Sequence, residues 1–182
     1  MSIKDLFSKS GQSKGLPVVN HPDPRLQDVS AEVDLSDPAE IEQLEQLIDD
    51  LIATMHNEKG AGLSAIQVGI PKRVFVYLND DKDSPGSVLI NPTFTYMSDE
   101  KVLDEEGCLS FPALYAPVER SQHIIIEGYD ENRNRVQVEA RDFMARVMQH
   151  EVDHLDGITF INRLSDEDKK AALREYFDLR AL

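Results

Sequence analysis

Residues 141–155 read RDFMARVMQHEVDHL, and their apolar side chains recur at helical spacing, so we predict one helix over this range. His150 and His154 are four residues apart, which places both imidazoles on one face of that helix, about one turn apart. One metal ion can bind both rings. Glu151 lies beside the pair and is spaced to act on a water molecule at the metal rather than to ligate. This stretch therefore predicts a metal-binding helix at the centre of the fold.

A catalytic metal site of this kind usually has three protein ligands and one position left for water. No histidine follows His154, and Glu167 and Glu175 lie in a charge-rich stretch that is typical of a solvated helix face. Cys108, the single cysteine, follows a glycine in a polar loop. A thiolate with two imidazoles is a known tetrahedral donor set, so Cys108 is the better third ligand. The alternative for a lone cysteine is a small buried apolar residue.

The composition favours one globular domain with a full core. The chain has 182 residues, of which 41% are hydrophobic and 29% charged, and its single cysteine excludes an internal disulfide. The formal net charge of -15 repels phosphate backbones and anionic membranes, so nucleic acid is not an expected ligand. The sequence has no stretch of 18 apolar residues and no signal-peptide pattern, and we expect a cytoplasmic protein without a membrane span.

The remaining elements predict an α+β domain. Asp37 as the cap and Pro38 at the first helical position begin an amphipathic helix that runs to about His56. A last helix is predicted from Ser165 to the end of the chain, and residues 1–15 as a loose leader. Five runs rich in β-forming residues lie between the helices: Arg73–Leu78, Ser87–Ile90, Thr93–Leu103, Val118–Tyr129 and Val136–Ala140, with a hairpin turn at Asp130–Asn134. We therefore expect a single domain over residues 1–182, with mostly antiparallel sheets packed around the metal-binding helix.

Three segments together resemble the motifs of the peptide deformylase family. They are Gly60–Gln67 (GAGLSAIQ), Glu106–Ser110 (EGCLS) and Gln149–His154 (QHEVDH), in the family's order and at similar separations. Pro22–Leu26 (PDPRL) resembles the opening segment of the same family, so the likeness extends over about residues 16–180. The predicted last helix resembles the bacterial subtype that ends in a helix.

The resemblance implies roles for residues of the three motifs. One divalent metal ion, Fe(II) in the native family, would be held by Cys108, His150 and His154; Zn(II), Ni(II) or Co(II) can replace it in purified protein. Glu151 would take a proton from water and return it to the leaving amine. The Gln67 side-chain amide and the Leu109 backbone N–H would stabilise the oxyanion.

The resemblance also implies a substrate and its contacts. The substrate would be the N-formyl-methionyl end of a nascent protein, hydrolysed to formate and a free amino terminus. We expect a monomer. The basic residues of the last predicted helix are offset by acidic ones, so we also expect only weak and transient contact with the ribosome. The glycines would let an extended peptide approach the backbone, and apolar side chains would line the methionine pocket. The residues expected to contact substrate are Gly60, Ala61, Gly62, Gly107, Tyr115, Phe143 and Val147.

Two positions depart from the family pattern. Ala61 stands where a branched aliphatic residue is usual, and Ser64 where Ala is usual; we expect neither to touch a ligand or the catalytic acid. Arg120 is a candidate partner of Glu106 that braces the cysteine loop, the alternative being a surface arginine on a strand. Asp153 either orients a histidine or serves as a solvent-facing helix residue.

Two other functions use the same residues. A metallopeptidase that cuts internal peptide bonds would keep the HExxH helix but take its third ligand from downstream. A catalytically silent module would bind peptides on the same fold. Such a module is expected to lack one of Glu151, Cys108 or Gln67, and this sequence retains all three. Deformylation is the function that the sequence favours.

Overall fold

The computed structural model describes residues 14–79 and 84–181, so residues 1–13 of the expected leader lie outside the described part. Three helices fall within these ranges: α1 (Pro38–Asn57), α2 (Asp142–Leu155) and α3 (Asp166–Arg180). The seven strands are β1 (Gly62–Ser64), β2 (Val74–Tyr77), β3 (Ser87–Met97), β4 (Lys101–Cys108), β5 (Phe111–Ser121), β6 (His123–Tyr129) and β7 (Arg135–Arg141). Short 3-10 turns lie at Pro24–Gln27, Ala65–Val68 and Phe160–Arg163. In the described ranges, we find no helix with the length and apolarity that a membrane span requires.

The strands form two antiparallel sheets. One has five strands in the order β1-β2-β3-β6-β7, and the other is the β4-β5 pair. The hairpin between β6 and β7 turns where the sequence predicts it, with the Asp130 N–H donating to the Asn134 carbonyl at 3.0 Å. The expected α+β class with antiparallel sheets is confirmed.

Helix α1 begins at its predicted cap. The Asp37 side chain accepts a hydrogen bond from the Ala39 N–H at 2.9 Å, and Pro38 occupies the first turn, where a missing N–H costs nothing. The apolar face of the helix packs on β1 and β2. Its buried apolar residues are Leu44, Leu47, Ile48, Leu51, Ile52 and Met55.

Helix α2 is the central element. Every residue from Ala145 to Leu155 is buried, and the helix contacts strands of both sheets. It ends at Leu155, and Gly157 follows two residues later with a φ of +71° that favours glycine. A Cβ at this position would also clash with the Gln27 carbonyl oxygen, so no other residue fits without a backbone shift.

Two of the predicted strands are wrong in their extent. The run Thr93–Leu103 is split between β3 and β4, and the run Val118–Tyr129 between β5 and β6. At both breaks the chain leaves one sheet for the other, and the Gln122 N–H donates to the Glu100 carbonyl where the two breaks meet. The first half of β5 is missing from the prediction because its two prolines weaken the strand signal, although a strand with a free edge tolerates proline.

Among the described residues the core has three apolar clusters, and the third lies behind the cysteine loop. It joins β5, the 3-10 turn after α2, and α3. Phe111 packs edge-on against Phe160, with ring centroids 5.4 Å apart, and lies 5.3 Å from the ring of Tyr176. The Tyr176 hydroxyl donates to the His21 carbonyl at 2.9 Å, so α3 fixes the segment that covers this cluster.

Candidate metal centre and catalytic site

Three potential metal ligands converge where α2 meets the turn between β4 and β5. The Cys108 Sγ lies 3.2 Å from the His154 Nε2, which is 3.2 Å from the His150 Nε2. All three ligand atoms lie within 4.8 Å of one another. The cysteine is half-buried and both histidines are buried. The structure thus brings together the three ligands expected from the sequence.

These residues fit a single divalent metal ion. Tetrahedral coordination at roughly 2.1 to 2.3 Å from each donor spaces the ligand atoms by about 3.5 Å, close to the observed separations. The Nδ1 of His154 is buried and finds no hydrogen-bond partner among the described residues, so this ring depends on its Nε2 for polar contact. Nitrogen and sulfur donors of this kind suit Fe(II), Co(II), Ni(II) or Zn(II) rather than Mg(II) or Ca(II).

Glu106 sets the orientation of His150. Its Oε1 lies 2.6 Å from the His150 Nδ1. Burial would raise the pKa of Glu106, but hydrogen bonds from His150 and Arg120 outweigh burial and hold this pKa well below its usual range. An ionised carboxylate only accepts hydrogen bonds, so the Nδ1 carries the proton and the Nε2 presents its lone pair to the metal position.

A buried ionic network surrounds Glu106. Arg120 donates to both of its carboxylate oxygens, at 3.0 and 2.7 Å, and Arg146 donates to Oε2 at 2.9 Å. Arg120 also donates to Asp153 at 2.6 Å, and Asp153 pairs with Arg163 as well. The structure thus contains the expected Arg120–Glu106 pair. Asp153 is buried rather than solvent-facing, and it contacts these arginines instead of a histidine.

Two N–H groups point at the cysteine sulfur. The Ser110 backbone N–H lies 3.4 Å from Sγ and the Gln67 Nε2 lies 3.6 Å from it. Both groups lie where they can donate a hydrogen bond to the sulfur. The loop is further fixed by Asn20, whose side-chain amide donates to the Leu109 carbonyl at 3.4 Å.

Gln67 is buried with a defined amide orientation. Its Oε1 accepts the Ser64 backbone N–H at 3.0 Å, so the Nε2 must face the Ser110 hydroxyl at 3.2 Å and the sulfur. The side chain therefore directs an N–H donor toward the space between Cys108 and α2. Leu109 lies in the turn next to the sulfur, packed against the first core cluster.

The Glu151 side chain extends from α2 toward β1. Burial raises its pKa to about 6, against the opposing effects of His150 and Ser64. Its Oε2 accepts a hydrogen bond from the Ser64 hydroxyl at 2.6 Å, so the expectation that Ser64 touches no catalytic acid is wrong. A Cβ on Gly62 would lie 2.6 Å from Oε1, so a larger residue at this position would displace the carboxylate from its present place.

The expected substrate residues divide into two groups. Gly62, at the start of β1, adjoins the catalytic carboxylate, and Val147 is buried against Gly62. Gly60 lies against the Leu109 side chain, and Ala61 packs on the second apolar cluster. Gly107 lies under the ring of Tyr115, its partner across the β4-β5 pair, and this tyrosine is 64% exposed. Phe143 is also 64% exposed. Of the two residues of α2 that are expected to contact substrate, Val147 is therefore buried and Phe143 is exposed.

Four residues of the site have contacts that the sequence does not predict. Ser64, Ser110 and Arg146 form hydrogen bonds to catalytic or buried charged groups, and Glu106 contacts His150 directly. Arg146 precedes His150 by four residues, so helical spacing was a usable signal for it. The contacts of the two serines depend on how distant segments pack, and no local pattern reveals them.

A thiol and two imidazoles around one point, with a buried carboxylate on the same helix, define a metal-dependent hydrolase. Residues 16–170 match the sequence profile of the polypeptide deformylase family. The chain belongs to this family, as the three motifs indicate.

Individual relatives agree over nearly the whole chain. The peptide deformylase of Bartonella henselae is 38% identical over 163 residues, which cover 88% of this chain and 90% of the relative. A crystal structure of peptide deformylase from Ehrlichia chaffeensis matches with a TM-score of 0.81 at 34% identity, covering 92% of this chain and 97% of that one. Another structure from Ehrlichia chaffeensis, in complex with actinonin, has a TM-score of 0.79 at 36% identity and covers 89% and 95% of the two chains.

Proposed function

We propose that this enzyme hydrolyses the formyl amide at the N-terminal formyl-methionine of nascent polypeptides, giving formate and a free amino terminus. The observation that carries the proposal is the buried Glu151 carboxylate beside the Cys108, His150 and His154 cluster, in a chain of the deformylase family. Family membership favours the formyl amide over an internal peptide bond.

Glu151 is the proton carrier in this proposal. Its carboxylate takes a proton from water as the oxygen attacks the formyl carbon, and delivers it to the amine nitrogen as the C–N bond breaks. The raised pKa, about 6, suits a group that must both accept and release a proton near neutrality. When bound, a metal ion supplies a Lewis acid for the carbonyl and lowers the pKa of water toward about 7.

Gln67 and Leu109 stabilise the developing oxyanion. The Gln67 amide is held in place before substrate arrives, with its Oε1 bound to the Ser64 N–H and its Nε2 on the cysteine side, so this donor is preorganised near the oxyanion position. The Leu109 backbone N–H is the second donor. Removing one donor of this kind typically costs about 3 kcal/mol of transition-state stabilisation.

The peptide backbone binds along the edges of β1 and β4. In the described ranges each of these strands pairs on one side only, with β2 and β5 respectively, so an extended peptide can add to either free edge. The methionine side chain occupies an apolar pocket that includes Val147, with Phe143 at its exposed end and Tyr115 beside a later substrate residue.

The resident metal in this proposal is Fe(II), held by Cys108, His150 and His154. The enzyme is a cytoplasmic monomer with a single catalytic domain, and it meets ribosomes weakly. The family supports metal dependence, and the donor set is compatible with Fe(II).

Formate release from formyl-Met-Ala-Ser under anaerobic conditions tests the function. We expect turnover with the metal-loaded enzyme and a stoichiometric new amino terminus by mass spectrometry. Cleavage between Met and Ala would instead indicate a metallopeptidase. Binding of the peptide without any formate would indicate a silent module, and either result would reject deformylation.

A further inference from the structure

We propose that Ser64 is a positioning residue whose hydroxyl fixes the Glu151 carboxylate for proton transfer. The inference rests on the proposed function and deepens it. It concerns a residue at which this chain departs from the family pattern, because Ala is usual at this position. The hydroxyl is therefore a feature of this chain that the three deformylase motifs do not require.

The hydrogen bond between Ser64 and Glu151 is short and buried. Ser64 is fully buried and Glu151 is 3% exposed, and their Oγ and Oε2 atoms are 2.6 Å apart. When the carboxylate is ionised it accepts only, so the serine donates. The Glu151 carbonyl is also within 2.9 Å of the same hydroxyl, but a hydrogen bond to an ionised acceptor is the stronger one.

The carboxylate is confined on its other side as well. Its Oε1 lies against Gly62, two residues before Ser64 on the same strand. Strand β1 thus contacts both oxygens, with a hydroxyl at one and a bare Cα at the other. The position of β1 is fixed because the strand pairs with β2 from Gly62 to Ser64. The side chain of Glu151 therefore has one defined orientation.

Ser64 also links the proton carrier to the oxyanion donor. Its backbone N–H holds the Gln67 Oε1, while its side chain holds Glu151. The backbone bond survives any substitution except proline, so Ser64→Ala removes the hydroxyl contact and leaves the Gln67 contact in place. This separation makes the alanine variant a specific probe of Glu151 positioning.

The experiment compares Ser64→Ala with Ser30→Ala as a matched control. Ser30 is also buried, but its hydroxyl has no hydrogen-bond partner among the described residues. We expect Ser64→Ala to lower kcat for formyl-Met-Ala-Ser by about ten- to a hundredfold, with KM, metal content and melting temperature near those of the wild type. Ser30→Ala should leave kcat within about twofold.

A double-mutant cycle with Glu151→Asp tests whether the effect passes through Glu151. The shorter side chain withdraws the carboxylate from the hydroxyl, so Ser64→Ala should change the single-turnover rate of Glu151→Asp by less than about twofold. If Ser64→Ala lowered the single-turnover rate equally in the wild-type and the Glu151→Asp enzymes, the proposal would be overturned. An unchanged or raised kcat in the Ser64→Ala single variant would also overturn it. A wild-type enzyme that releases no formate would instead reject the proposed function.

Discussion

At the scale of single residues, the site depends on buried ionisable side chains. Glu151 is 3% exposed and Glu106 is 5% exposed, yet they have opposite pKa shifts. Glu151 has few donors and its pKa rises, whereas Glu106 is surrounded by donors and its pKa falls. One carboxylate can therefore exchange protons while the other stays ionised and holds a histidine.

Substitution of Glu151 by Gln separates chemistry from metal binding. The amide cannot accept a proton from water, so formate release should fall by at least about a hundredfold. Metal content by mass spectrometry should stay at the wild-type value, because the ligands are unchanged. Cys108→Ala is the control that should lose both metal and activity. Substantial turnover by Glu151→Gln would mean that another base does this work.

Gly62→Ala should impair catalysis without removing the metal. Its Cβ would lie 2.6 Å from the Glu151 Oε1 and 2.9 Å from the Val147 Cγ1, so the carboxylate must move. A displacement of about 1 Å at a catalytic group can cost about a hundredfold in rate. We expect kcat to fall by this order with unchanged metal content. Wild-type kcat in this variant would show that the precise carboxylate position is unimportant.

Glu106→Gln should weaken metal binding. An amide cannot serve as a charged acceptor for the His150 Nδ1, and losses of this kind typically cost about 10- to 100-fold in metal affinity. Competition with a chelator measures the affinity. Glu105→Gln is the matched control, because Glu105 is the exposed neighbour on the same strand. Equal affinities for the two variants would contradict the orienting role.

The sequence identifies the residues with distinctive chemistry and misses those defined by packing. His150, His154 and Cys108 stand out because spacing and rarity mark them. Ser64 lies 87 residues from Glu151, and their contact exists only because β1 packs on α2. No local pattern reports such packing, so the serine's contact was not foreseen.

At the scale of elements, α3 packs on the back of the site chiefly through a large buried side chain. Tyr176 is fully buried while its neighbour Phe177 is 48% exposed. Tyr176→Ala should lower the free energy of unfolding by about 3 to 5 kcal/mol, as for other large aromatic truncations. Phe177→Ala, on the same helix turn, should change it by less than about 1 kcal/mol. Urea unfolding measures both free energies of unfolding. A loss for Tyr176→Ala as small as that expected for Phe177→Ala would contradict a core role for Tyr176.

The helices were easier to predict than the strands. Capping residues mark α1 and α3 locally, and the structure begins both helices directly after Asp37 and Ser165. The breaks at Ser98 and Gln122 lie within long β-forming runs, and they are set by pairing between segments that are far apart in sequence. Local propensity therefore predicts strand character but not where a strand changes sheet.

At the scale of the whole molecule, the net charge of -15 should limit contact with ribosomal RNA. Acidic residues also outnumber basic ones on α3, where the charged residues are Asp166, Glu167, Asp168, Lys169, Lys170, Arg174, Glu175, Asp178 and Arg180. We expect little co-sedimentation with ribosomes at physiological salt. The double variant Asp166→Lys, Glu167→Lys should increase it. Tight, salt-sensitive binding by the wild type would contradict this expectation.

The position of Tyr176 also has a consequence for how the protein is made. Its hydroxyl binds a carbonyl 155 residues earlier in the chain, and its ring closes the cluster behind the cysteine loop. During translation β5 and the cysteine loop are synthesised before α3. The apolar face that they share therefore stays exposed until the helix leaves the ribosome. A translation product that stops before α3 would thus present this face to proteases and chaperones, and it would lack the support that holds the thiol beside the two imidazoles.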